Sequence, residues 1–156
     1  MSSAPASHHV QAAGPLDLPA LLALYRHLNP EMPELAPEIA SRIWQETLAQ
    51  PGLTVFVASA GDTLAAACTL ITAPNLMRGG APYAFLENVV THGDYRRQGH
   101  GRAVIEAAID AAWAKGCHQV MLLTGHGNAP AHTFYRACGF TADHKAGFVI
   151  RRPGAV

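Results

Sequence analysis

A chain of 156 residues with 49% hydrophobic and 14% charged side chains has the volume and apolar content of one packed domain, not of a disordered polypeptide. Eleven basic residues balance eleven acidic ones without any block of like charge, which argues against nucleic acid or an anionic membrane as a partner. No apolar stretch has the length of a membrane span, and the opening residues lack a basic segment followed by an apolar run, so the expected location is the cytoplasm.

Residues 1–7 are small and polar and read as a disordered start, and residues 8–12 as a short edge strand. Asp17 is placed to cap a helix in which Leu18, Leu21, Leu22, Tyr25 and Leu28 recur at helical spacing, about three turns stopping at Asn29 and Pro30. The proline-rich run PEMPELAPE reads as an extended linker. A second helix is expected over residues 38–50, with Ile39, Ile43 and Leu48 facing the core, closed by Pro51 and Gly52. Residues 53–60 and 63–71 are β-branched and aromatic runs joined by Gly61 and Asp62, the pattern of an antiparallel hairpin.

Residues 85–91, FLENVVT, suit a strand buried on both faces, and residues 120–124 a further buried strand. Residues 102–115 form an alanine-rich helix between them, and another helix follows Asn128. The tail predicts a last hairpin, residues 140–142 with 148–151 around Lys145, Ala146 and Gly147. The resulting order, β-α-α-β-β-β-α-β-α-β-β, is an α/β (α+β) domain with a mixed sheet and about four flanking helices.

The chemistry concentrates between the strand ending at Thr91 and the helix beginning near Arg102. Arg96, Arg97, Gln98, Gly99, His100 and Gly101 lie at a helix N-terminus, where the first amides have no internal acceptor and carry the positive end of the dipole. Gly99 and Gly101 let a bulky anion approach the main chain, and the arginines add charge suited to a diphosphate. Neither a Walker loop nor a dinucleotide fingerprint fits: the first lacks its G-K-[ST] ending, the second its third glycine.

Two spaced motifs remain: R-x-x-G-x-G at residues 96–101, and N-x-x-A-x-x-[LF]-Y-x-x-x-G-F at residues 128–140, matched by Asn128, Ala131, Phe134, Tyr135, Gly139 and Phe140. In their order and spacing the chain resembles the GNAT superfamily of N-acetyltransferases, over residues 8–152 and most strongly over 87–140. The resemblance implies the GNAT fold, a mostly antiparallel sheet splayed between the strand of Glu87 and that of Met121, with acetyl-coenzyme A as cosubstrate in the splay. It implies that pantetheine lies along Val89, Val90 and Thr91, with an amide at about Val89 facing the thioester oxygen. Arg96, Arg97, Gln98, Gly99, His100, Gly101 and the Arg102 amide would hold the diphosphate, and Asn128 and Tyr135 would contact the cosubstrate.

Acetyl transfer to an amine needs a neutral nucleophile, a stabilised oxyanion and a proton for the departing thiolate. The resemblance makes Tyr135 the acid, with a buried core tyrosine as the alternative. Glu87, an acidic side chain inside an apolar run, is the candidate base through a water; a glutamate salt-bridged to Arg42 or Arg78 is equally open. His92, His126 and Asn88 stand in reserve. Asn128 caps the helix that follows it. Arg102, Glu106 and Asp110 share one helix face at i, i+4 spacing and read as a solvated stripe.

Cys68, Cys117 and Cys138 form neither a disulfide framework nor a zinc motif and read as reduced core thiols, and the nine histidines offer no metal-ligand spacing. LLTG and FLENVV resemble the branch of the family that acetylates small amines, so a small-molecule amine is the expected acceptor. Acceptor loops are expected at residues 29–37, 75–82 and 145–147. A peptide amine, a non-catalytic acyl-coenzyme A binding module and a homodimer, common among relatives, stay open.

Overall fold

The computed structural model describes residues 8–154, and chain contacts divide it into one unit ending at Leu122 and another starting at Leu123. In the first unit a five-stranded sheet runs in sequence order: β1 (Val10–Ala12), β2 (Leu53–Ala60), β3 (Thr63–Ala73), β4 (Tyr83–Thr91) and β5 (Val120–Leu122). The first four pair antiparallel, and β4 pairs parallel with β5. Its helices are α1 (Leu18–Tyr25), α2 (Pro37–Ala49) and α3 (His100–Ala114). The second unit contains α4 (Ala129–Ala137).

Alternation along the strands sorts the helices onto two faces. Ala67, Val55, Val57 and Val90 pack with Leu21 and Leu24 of α1 and Trp44 of α2. The next residue, Cys68, must point the other way, and its thiol donates to the Val104 carbonyl of α3 at 3.3 Å. So α1 and α2 cover one face and α3 the other, where Val104, Ile105, Ala108 and Ala112 are fully buried. The β2–β3 hairpin turns at Gly61, with φ +59°, as the Gly-Asp pair predicts.

Four expectations are corrected. α1 ends at Tyr25 because the chain tightens into i→i−3 bonds, His27 N–H to Leu24 O and Leu28 N–H to Tyr25 O, and leaves Leu28 exposed. Asp17 serves the preceding 3-10 turn, accepting the Gly14 amide at 2.7 Å, and does not cap α1. α2 buries Ala40 and Trp44, while Ile39, Ile43 and Leu48 are 43%, 42% and 37% exposed. Trp44, the largest apolar group on the helix, sets that rotation, and its indole N–H donates to Gly14 O at 3.2 Å. Among the described residues after Leu122 there is no strand: residues 140–142 and 148–151 form no ladder, and Phe148, Val149 and Ile150 are exposed. A two-stranded ribbon with no apolar face to cover has little to hold it.

Candidate active site

Two departures from regular pairing lie side by side on β4. Its parallel ladder with β5 consists of Ala84↔Val120, Phe85↔Met121 and Leu86↔Leu122 and stops there, although β4 continues to Thr91. On the other edge, Thr69 pairs with Glu87 and Ala67 with Val90, so Asn88 and Val89 together oppose Cys68. This is a β-bulge, and Asn88 takes the left-handed conformation at φ +50°. The splay expected between these strands is thus present in the pairing. The left-handed Asn88 escaped sequence reasoning, although an asparagine inside a strand-like run was its signal, since Asn is poor in strands and tolerates positive φ.

Downstream of β4, the chain makes a 3-10 turn at Gly93–Tyr95 and then reaches α3. Arg97 and Gly99 both lie at positive φ, +62° and +89°, and His100 opens the helix immediately after Gly99. A left-handed residue followed by helical ones turns successive amides to the same side, a concavity that binds anions. The helix ladder begins with Ala103 N–H to Gly99 O at 3.0 Å, so the amides of residues 100–102 precede it. Arg96, Arg97, Gln98 and Gly99 are exposed, while His100 and Gly101 are buried. Gln98 closes the loop by donating to Asp94 O at 3.1 Å. At φ +89° this corner requires glycine for conformation, and a Cβ there would also push the His8 ring aside from 2.7 Å.

His100 is 8% exposed, and its Nδ1 has no hydrogen-bond partner among the described residues. Its ring meets those of His8, at 4.4 Å between centroids, and Tyr95, at 5.9 Å. Burial, and secondarily the His8 charge, holds its pKa below the usual histidine value.

Glu87 corrects the sequence reading in one respect. It points to the same face as its cross-strand partner Thr69, but its side chain is exposed. Among the described residues it forms no ion pair; Arg42 lies instead 4.0 Å from Glu46. Thr69 is buried and hydrogen-bonded to Tyr25, whose phenol pKa is raised, chiefly by burial. Val90 is buried on the α1 face, and Val89 and Thr91 are exposed to half-buried. Arg102 pairs with Glu106 at 2.7 Å on an exposed helix face, as the spacing predicts. Cys68 and Cys117 are buried free thiols. Burial pushes the Cys68 thiol up to about 12, too high for a nucleophile at neutral pH.

In the second unit the other motif resolves into helix-capping chemistry. Asn128 Oδ1 accepts the Ala131 amide at 3.3 Å and so caps α4. At the far end Gly139, at φ +95°, lets the Phe140 amide reach Tyr135 O at 3.1 Å and its own amide reach Arg136 O at 3.0 Å. These two bonds form a Schellman closure. The accompanying apolar contact is between Tyr135 and Phe140, with centroids 6.1 Å apart, and Phe134 lies on the other side of Tyr135 at 5.3 Å. The spacing Y-x-x-x-G-F is therefore the spacing of a helix stop that fixes a tyrosine ring.

The sequence profile of the Acetyltransferase (GNAT) family matches residues 21–140. A solved structure from Agrobacterium tumefaciens str. C58, described as a candidate acetyltransferase, is 49% identical with a TM-score of 0.89, over 92% of this chain and 99% of that one. The glucosamine 6-phosphate N-acetyltransferase of Trypanosoma brucei brucei is 29% identical over 83% of this chain and 86% of its own. The L-methionine sulfoximine/L-methionine sulfone acetyltransferase of Pseudomonas aeruginosa is 30% identical over 86% of this chain and 80% of its own. With the interrupted β4–β5 ladder and both motifs in place, the chain belongs to the Acetyltransferase (GNAT) family and is an N-acetyltransferase.

Proposed function

We propose that this enzyme moves an acetyl group from acetyl-coenzyme A to the primary amine of a small molecule by direct attack in a ternary complex. The observation that carries the reading is the open edge of β4: its ladder with β5 ends at Leu86, its bulge follows at Asn88, and one loop further lies the anion-binding turn at Gly99. Acetyl-coenzyme A supplies the acyl group as a thioester. The turn from Arg96 to Arg102 suits its diphosphate, because the amides there precede the helix ladder at the positive end of its dipole. Val89, Val90 and Thr91 take the pantetheine as an added strand.

The Val89 amide at the bulge stabilises the oxyanion. Glu87, exposed to solvent, takes the amine's proton through a water, and Tyr135 gives its proton to the thiolate as the C–S bond breaks. Asn128 contributes through its helix cap and its contact with the cosubstrate. The amino sugar phosphate and the amino acid analogue named for the two relatives support a small acceptor. The free buried thiols of Cys68 and Cys117 support a reducing compartment, the cytoplasm, and among the described residues no helix is long and apolar enough to cross a membrane.

The test is a panel of amino sugars, amino acids, aminoglycosides and peptides incubated with acetyl-coenzyme A, following free thiol release. Transfer to at least one small amine supports the reading. Transfer confined to peptides overturns the acceptor class, and coenzyme A binding without transfer to any amine leaves a binding module.

A further inference from the structure

We propose that His27 is a positioning residue for the diphosphate-binding loop, an inference that rests on the coenzyme A reading above. His27 lies two residues past the end of α1 and is half-buried against the segment joining β4 to α3. Its Nδ1 accepts the Gly93 amide at 3.1 Å. Its ring stacks on His92 with centroids 3.9 Å apart, and its carbonyl accepts from Arg96 Nη2 at the 3.5 Å limit. One residue thus engages the loop at three points.

The contacts continue into the cradle. His92 Nδ1 accepts the Asp94 amide at 3.1 Å, and its carbonyl accepts the Tyr95 amide at 3.0 Å. The Tyr95 ring packs edge-on against both His92 and His100, and His100 is the first residue of α3. A chain of packed groups therefore runs from the end of α1 to the start of α3. The loop needs such a support: it contains Gly93, Gly99 and a left-handed Arg97, while an anion site works only if its amides are already aligned. His27 touches no reacting atom in this reading; it acts through Gly93 and His92.

Three variants separate positioning from simple structural damage. His27→Phe keeps a ring for His92 but removes the acceptor; a cavity of about 220 Å3 bordered by Leu24, His27, Asp62 and His92 leaves space for the phenyl edge. His27→Asn returns a carbonyl oxygen near the Nδ1 position. His27→Leu removes the acceptor and the aromatic ring together at nearly the same side-chain volume. Coenzyme A binding is measured by calorimetry, and acetyl-coenzyme A KM and kcat by thiol release. H27F and H27L should each raise Kd and KM about fivefold to tenfold with kcat within about twofold, whereas H27N should stay within about twofold of wild type.

The inference is overturned by an unchanged Kd in H27F, by a fall in kcat with Kd unmoved, or by H27N binding as weakly as H27F. Should H27F fail to fold, H27L carries the same expectation, and an unchanged Kd there overturns the inference equally. Wild-type protein that does not bind coenzyme A overturns the proposed function along with it, whereas wild type and variants binding alike overturn the role of His27 alone.

Discussion

Asn88→Val tests the backbone on which the site depends. Asn88 stands at φ +50° in the middle of β4, opposite Cys68, with its own side chain exposed. Substitution there removes little packing and acts mainly through the main chain. Left-handed backbone costs an L-residue about 1–2 kcal/mol. Asparagine is among the few side chains that tolerate it, and β-branched ones are the least tolerant. Asn88→Val should therefore destabilise the fold by about 1–2 kcal/mol, which for a chain of this length is roughly 2–8 °C in Tm. Asn88→Gly, free of the steric term but with more unfolded-state entropy to lose, should stay within about 1 kcal/mol of wild type. If valine instead pulls the strand straight, the pairing of Val89 against Cys68 slips and acetyl transfer falls with it. Calorimetric unfolding of the three proteins, with thiol release measured on the same samples, reads both effects. Should N88V prove as stable as N88G and fully active, the left-handed bulge and the oxyanion assignment built on it are refuted.

Tyr135→Phe should lower turnover about 100-fold or more with little change in coenzyme A affinity, since it removes a proton donor and keeps the ring packed between Phe134 and Phe140; unchanged turnover removes Tyr135 from the mechanism. Gly99→Ala should weaken coenzyme A binding and cost about 1–2 kcal/mol of stability, because φ +89° disfavours any Cβ; a variant that binds and melts like wild type refutes the cradle. His100 is held below its ordinary pKa of 6.5 by burial first and by His8 second. As pH falls, the unfolded chain therefore takes up this proton before the folded one, so the His100 contribution to stability is full above about pH 6.5 and declines through the acid side until the folded value is passed. Thermal scans across that window should show His100→Phe losing less stability on acidification than wild type, and equal slopes would remove His100 as a source of the acid sensitivity.

The fold was readable wherever a local pattern and a tertiary demand coincide. The β2–β3 hairpin falls on residues 53–60 and onward from 63 as predicted, because a Gly-Asp turn and two β-branched runs specify it without help from elsewhere. The orientation of α2 was not readable. Ile39 and Ile43 carry an apolar signal of their own, and what turns Trp44 inward, its packing with Leu21, Leu24 and the sheet and its bond to Gly14 thirty residues upstream, is tertiary. The tail shows the same limit: residues 148–151 have a strand's composition, but a strand exists only where a second chain segment pairs with it.

The site divides along that line too. The turn at residues 96–101 and the motif at residues 128–140 could be read from sequence because each is a helix end, and helix ends are written in adjacent residues: a left-handed glycine before α3, an asparagine cap and a glycine stop around α4. The edge of β4 could be read only through the family resemblance and not from its own residues. FLENVVT does not itself say that pairing with β5 stops after Leu86, since that is fixed by where residues 120–122 run, and its asparagine signals a kink without saying that the kink keeps Glu87 and Val90 in register with β3. Each feature has a cost, one in forgone ladder bonds and the other in backbone strain, and a sheet under selection for stability alone would keep neither. Their adjacency, within three residues on one strand, places the end of the β5 ladder and a redirected peptide at the same spot. That combination is what a thioester carrier requires if it is to lie along a strand and present its carbonyl to a main-chain donor.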